Sequence, residues 1–263
     1  MARVFTKSQN LMLVDFIAGW SDSSLLLLAA LVVMIGGFLR GFIGFGGSLI
    51  IIPVLAEIFT PREAVALHLI MEVPGTMQLL PVAWRDCEPR VSMPAIIAMV
   101  IGTPVGAYLL ATLDPDLMRI AIALVVLSIV TLLAMDWQLP FTIGPKVMTA
   151  VGTIAGFAQG STGMGMPPLV VTIVSRGDTP DKTRGNVLAT AAGMIAVAVP
   201  VQLYFGNLSY DAVIVGLTAG LIYVIATFTG SKFYEVGGEK IYRHAVLFLL
   251  AGIAGYSLVT NLI

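Results

Sequence analysis

Charge is what this sequence has least of. Charged residues fill 11% of its 263 positions and their formal sum is −1. A soluble domain usually carries about a quarter, because most of its surface must face water. So thin a supply leaves a lipid bilayer as the solvent that the surface meets. No block of Lys and Arg occurs, so nucleic acid has no electrostatic footprint to bind. A single cysteine, Cys87, excludes an internal disulfide and a thiolate metal cluster, and reads as an incidental loop thiol. No group of Cys, His, Asp or Glu has metal-ligand spacing, so no metal is expected. No nucleophile–base pair or cofactor motif is present either, which ranks an enzyme last and leaves no cofactor to expect.

What is there is apolar. Hydrophobic residues make up 58% of the chain and the mean hydropathy is +0.97. A helix needs about 20 apolar residues to cross the hydrocarbon core. Residues 64–84, 91–113, 120–134, 185–210, 212–231 and 245–263 meet or approach that length, and residues 25–59 and 147–175 exceed it. The expected fold is an all-α integral membrane protein of about 8–10 embedded helices, with residues 25–263 forming one transmembrane domain. Residues 1–24 form a polar or interfacial lead-in; Arg3 and Lys7 precede a weak apolar stretch interrupted by Asp15, and no small-residue cleavage pattern follows.

Two of the apolar stretches are unusual. Residues 41–48 read GFIGFGGS and residues 160–168 read GSTGMGMPP. Glycine costs a helix interior about 1 kcal/mol and proline about 3, so both tracts should break their helices. Broken backbone at membrane depth is tolerated only inside protein or beside water. A shift of 119 positions aligns the two tracts without a gap. Gly37 falls on Gly156, Gly41 on Gly160, Gly44 on Gly163, Gly46 on Gly165, Thr60-Pro61 on Thr179-Pro180 and Pro81 on Pro200. After a small insertion, Gly106 falls on Gly230 and Arg119 on Arg243. The pattern predicts two homologous halves, residues 25–140 and 144–263, each opening on a broken helix or helical hairpin. Interrupted segments at matching places in two halves point to a secondary-transporter site. Close helix packing is the competing explanation of the glycines, and is preferred for Gly102 and Gly106.

The stretch GGFLRGFIGFGGSLIIIPVL at residues 36–55 resembles the first signature of the sulfite exporter TauE/SafE family. The stretch GFAQGSTGMGMPPLV at residues 156–170 resembles its second-half counterpart, and TPREA at residues 60–64 fits the same pattern. The resemblance runs from about residue 25 to the end. It implies a bacterial inner-membrane carrier of small sulfur anions, such as sulfite, sulfoacetate or other organosulfonates, and commonly an exporter.

The residues that would carry such chemistry lie in and beside the tracts. Arg40 stands between two apolar runs. It is either a snorkelling residue at a helix end or a bidentate ligand for an oxyanion. Its repeat partner is the neutral Gln159. Gly44, Gly46, Gly47, Gly163 and Gly165 would present backbone N–H groups. Ser48, Ser161 and Thr162 would offer hydroxyls, either to substrate or to the broken backbone itself. Asn186 supplies a polar position in the second half. His68 and Glu72, four apart, share a helix face and are candidates for proton coupling or, alternatively, a structural pair with Arg40. The partners expected are a small anion and the bilayer, in a monomer or a homodimer. Basic loops near Arg176, Lys182 and Arg184, and near Lys232, Lys240 and Arg243, should face the cytoplasm and leave the C-terminus periplasmic. A passive anion channel and a small-carboxylate carrier are the alternative functions.

Overall fold

In the computed structural model, residues 23–134 and 143–238 are described, and they contain helices and turns with no strand. The expectations for the N-terminal lead-in, for residues 245–263 and for the Arg119–Arg243 match fall wholly or partly outside the described residues. Among the described residues nine α-helices follow in order: α1 Ser23–Ile43, α2 Gly47–Ile58, α3 Pro61–Asp86, α4 Pro89–Thr112, α5 Pro115–Ala134, α6 Pro145–Thr162, α7 Met166–Val174, α8 Pro180–Tyr204 and α9 Tyr210–Phe233. A single π-helical turn, Tyr234–Gly238, extends α9. Helices α3, α4, α8 and α9 are long and apolar enough to cross a membrane.

Proline sets most of the helix starts. Pro61, Pro89, Pro145 and Pro180 sit in the first turn, where the missing N–H has no helical partner to lose. At α3 the start is reinforced by a capping box. The Thr60 hydroxyl accepts from the Glu63 N–H at 3.3 Å, and the Thr60 N–H donates to the Glu63 carboxylate at 3.0 Å. The shared Thr-Pro turn at residues 179–180 opens α8 without the side-chain cap. Pro74 and Pro81 lie inside α3, which nevertheless runs unbroken for 26 residues. Cys87 caps the end of α3 in the turn that leads to α4.

Helix α1 stops at Ile43 and α2 starts at Gly47, with Gly44 and Gly46 at φ 95° and 97°. That left-handed backbone is the region glycine enters without a Cβ clash. Helix α2 then returns along α1: a Cβ on Gly47 would stand 3.0 Å from the Gly36 carbonyl oxygen. Helix α6 ends the same way, at Thr162, with Gly163 at φ 72°. A Cβ on Gly165 would collide with the Ala155 carbonyl, and Ala155 is the position that aligns with Gly36. The short helix of each hairpin packs in a different apolar cluster, and each tip reaches into the other's: Met164 joins the cluster of α2, and Phe42, Ile43 and Phe45 join that of α7. Leu49, Ile51, Ile52 and Leu55 of α2 pack with α1, α3, α5 and α9. Met166, Leu169, Val170 and Ile173 of α7 pack with α4, α6 and α8.

The helix crossings also recur. A Cβ on Gly41 of α1 would strike the Thr227 carbonyl of α9, and one on Gly160 of α6 would strike the Thr103 carbonyl of α4. Gly230 meets the Phe38 carbonyl, and Gly106 meets the Phe157 carbonyl. The order of contacts gives direction. Residues 37 and 41 meet 223 and 227, so α1 and α9 are parallel. Residues 95, 99 and 103 meet 152, 156 and 160, so α4 and α6 are parallel. Gly216 and Gly220 of α9 meet Ile70 and Pro74 of α3, in parallel. Glu88 and Ile96 of α4 meet Asn186 and Gly193 of α8, again in parallel. Helices α3 and α8 are antiparallel: Asp86 meets Gly185, whereas Leu69 packs with Ile195 and Ala198. Helices α1, α3 and α9 therefore run one way and α4, α6 and α8 the other.

Candidate functional site

A buried polar cluster lies below the tip of the first hairpin, at the join of α1, α3 and α9. Arg40 and Glu72 form an ion pair, with Nε and Oε1 3.2 Å apart and side chains 3% and 12% exposed. Arg40 also donates through Nη1 to the Gly44 carbonyl and through Nη2 to the Thr76 hydroxyl at 3.2 Å. The Gly44 contact fastens the guanidinium to the tip and satisfies a carbonyl left open at the helix end. Tyr223 of α9 donates its hydroxyl to Glu72 Oε1 at 3.2 Å. His68 Nε2 lies 3.8 Å from the same oxygen, beyond hydrogen-bond reach.

These contacts give the carboxylate a defined setting. It has the Arg40 guanidinium on one side. On another is the Tyr223 hydroxyl, 3.2 Å from where a Cβ on Gly47 would stand at the start of α2. Guanidinium, phenol and helix N-terminus all favour negative charge. Two further polar atoms in this neighbourhood are buried without a partner, His68 Nε2 and Thr227 Oγ1. Thr227 Oγ1 stands 3.6 Å from where a Cβ on Gly75 would be, beside the Tyr223 ring.

The second hairpin carries no charge at the corresponding place. Gln159 accepts the Gly165 N–H at 3.1 Å and so latches its own tip, as Arg40 latches the first. The positions that align with His68, Glu72 and Thr76 are Val187, Ala191 and Ile195, all buried. Ser161 and Thr162 donate to the Phe157 and Ala158 carbonyls of their own helix, so in this arrangement their hydroxyls serve the broken backbone. Gln202 donates to the Gly160 carbonyl at 2.8 Å and accepts from Asn207 at 2.6 Å, and Arg62 donates to Asn207 at 2.7 Å.

Of the residues expected from sequence, the structure brings together Arg40, Gly44, His68 and Glu72, with Gly46, Gly47 and Ser48 in the adjoining tip and first turn of α2. Gln159, Ser161, Thr162, Gly163 and Gly165 form the other tip, which packs against Ile52 and Val65. Asn186 belongs to neither cluster. Its side-chain oxygen accepts the Glu88 N–H at 2.7 Å and secures the turn between α3 and α4. One expectation is corrected: Arg184 is not part of a basic loop. It is 3% exposed, inside α8, and donates to the Gly41 carbonyl at 2.8 Å and to Ser231 at 3.1 Å. Its guanidinium lies 4.2 Å from the Tyr234 ring centre. Tyr223, in the apolar helix α9, is not singled out by the sequence, and neither is Thr227. Thr76, four residues beyond Glu72, was recoverable from helical spacing alone.

Membrane-length helices around a buried ion pair and two glycine-broken hairpins define a multi-pass membrane protein of the transporter class. The family model described as Sulfite exporter TauE/SafE matches residues 28–257. The chain belongs to that family and is thereby placed among membrane transporters of sulfur anions. No curated protein and no solved structure matches it.

Proposed function

We propose that this protein is a secondary carrier that moves a small sulfur anion, sulfite or an organosulfonate, by alternating access around the two hairpins. The Arg40 nest is its anion site. The observation that carries this reading is a permanently charged guanidinium held at a hairpin tip in company with a phenol, a helix N-terminus and two unpartnered polar atoms. Arginine cannot shed its charge, so burying it is costly unless its surroundings compensate it, and at Arg40 the charge is balanced by the Glu72 carboxylate, whose place an oxyanion can take.

The two halves act as an inverted repeat. Supporting this are the matched collisions at Gly41 and Gly160 and at Gly230 and Gly106, and the opposed directions of α1 and α6, α3 and α8, and α4 and α9. Two like units of opposite direction can exchange conformations around a fixed site, which opens that site to each side in turn. Orientation follows from charge. Arg85, Arg90, Lys146, Arg176, Lys182 and Lys232 lie at the end where α3 finishes, whereas Arg62 and Arg119 lie at the other end. The positive-inside rule puts the first end in the cytoplasm of a bacterial inner membrane.

The test is counterflow in proteoliposomes. Liposomes loaded with unlabelled isethionate or sulfite should transiently accumulate labelled isethionate, saturably, and Arg40→Ala should abolish this. A current that grows linearly with voltage, without counterflow, would make the protein a channel. Counterflow of lactate alone would make it a carboxylate carrier.

A further inference from the structure

We infer that Glu72 is a resident stand-in for the transported anion, so that each anion bound to Arg40 obliges the protein to take up one proton. The inference rests on the anion site proposed above and names its coupling ion, its stoichiometry and the charge of its substrate.

The argument begins with charge balance. Arg40 is buried and tied to α1 by its own tip, so it cannot swing to water to lose a partner. In this structure its counter-ion is Glu72. An incoming oxyanion that takes the guanidinium leaves two negative charges facing one positive charge at low dielectric. Of the groups around Glu72, only some can relieve that excess. Arg40 of α1 is already charged. Tyr223 of α9 is a neutral donor that serves either anion, and Thr76 of α3 is a neutral acceptor for Arg40. Helix α8, packed on the other side of α3, presents Leu188, Ile195 and Ala198 to it, and its buried cation, Arg184, does not titrate and is engaged by the Gly41 carbonyl and Ser231. Two acceptors of a proton remain, the Glu72 carboxylate itself and His68, one helical turn earlier. The carboxylate is the one displaced from the guanidinium, so it is the one whose charge loses its compensation. Protonated, Glu72 becomes a donor and can turn toward His68 Nε2, a buried nitrogen that has no partner while Glu72 holds Arg40. Thr227 Oγ1, equally unpartnered, is left for the substrate.

Three consequences follow. The exchange is balanced for a monoanion, one negative charge in and one neutralised, so sulfonates and hydrogen sulfite fit the site and a dianion does not. Movement of the loaded site is electroneutral. Outward transport is then driven by the anion's own gradient, and an acidic exterior opposes it.

The probe is isethionate, whose sulfonate does not titrate. Purified protein in a weakly buffered solution with a pH dye should take up one proton per isethionate bound. The dissociation constant should rise tenfold per pH unit wherever binding takes up one proton. Glu72→Gln should bind isethionate with no proton uptake and no pH dependence. Wild-type measurements carry the result even if a variant misfolds. Binding that Arg40→Ala removes, but without proton uptake in the wild type, would overturn the coupling and leave the site standing. Proton uptake that persists in folded Glu72→Gln would also overturn it. Failure of the wild type to bind isethionate, sulfite or lactate would overturn the site and the coupling with it.

Discussion

The two hairpins share a backbone and differ in chemistry. Both turn on glycine, both fold a short helix back on a longer one, and both have their tip latched by the residue two positions after an aligned Gly-Phe pair. At the first tip the latch is Arg40, reaching a carbonyl and a carboxylate. At the second it is Gln159, reaching an N–H. Around Arg40 stand His68, Glu72 and Thr76; around Gln159 the aligned positions are Val187, Ala191 and Ile195. The contrast separates what the shape requires from what the cargo requires. Any side chain that satisfies one open backbone group can hold a tip. Only the first tip carries a cation as its latch, and there the charge is balanced by a carboxylate.

The comparison can be broken most forcefully at Arg40. Arg40→Ala leaves the Glu72 carboxylate without its cation and should cost about 3–5 kcal/mol of apparent stability, read from denaturant or thermal melts in detergent. Arg40→Ala together with Glu72→Gln should recover most of that loss without restoring transport.

Substitutions shared by the two halves should instead behave alike. Gly41→Ala and Gly160→Ala each drive a methyl group into a neighbouring backbone carbonyl, of Thr227 and Thr103 respectively. Each should cost about 1–3 kcal/mol by overpacking. Equal losses would mark a property of the shared shape; a loss confined to one half would sink the matched-crossing account.

At the neutral tip the effect should be smaller. Gln159→Ala removes one hydrogen bond to the Gly165 N–H, worth about 0.5–1.5 kcal/mol, and should leave anion binding intact. Smallest of all is the exposed pair between Lys182 and Glu88 at the end where α3 finishes. Lys182→Ala should leave the melting temperature unchanged within error, because solvent screens such pairs.

The helical membrane class was legible from composition, because no soluble surface can be built from so few charges. The positions of the two glycine tracts and the shared Thr-Pro turns were legible too, since both features act through local backbone. What one half lends the other was not. Tyr223 reaches Glu72 across 151 residues of sequence, and nothing local distinguishes it from a lipid-facing tyrosine. Arg184 reads as one more basic residue following Lys182, yet it turns inward to the Gly41 carbonyl and the Tyr234 ring. Asn186 looked like a ligand because it aligns one position before the mate of His68. Its location on α8 instead brings it to the Glu88 turn. Pairing across the two halves, rather than propensity, decides each of these.

The most direct test is equilibrium binding of labelled isethionate to the folded wild type, Arg40→Ala and Gln159→Ala proteins under identical conditions. The account predicts saturable binding that Arg40→Ala abolishes and Gln159→Ala keeps. Undiminished binding in Arg40→Ala, or its loss in Gln159→Ala, would contradict the assignment of the anion to the charged hairpin.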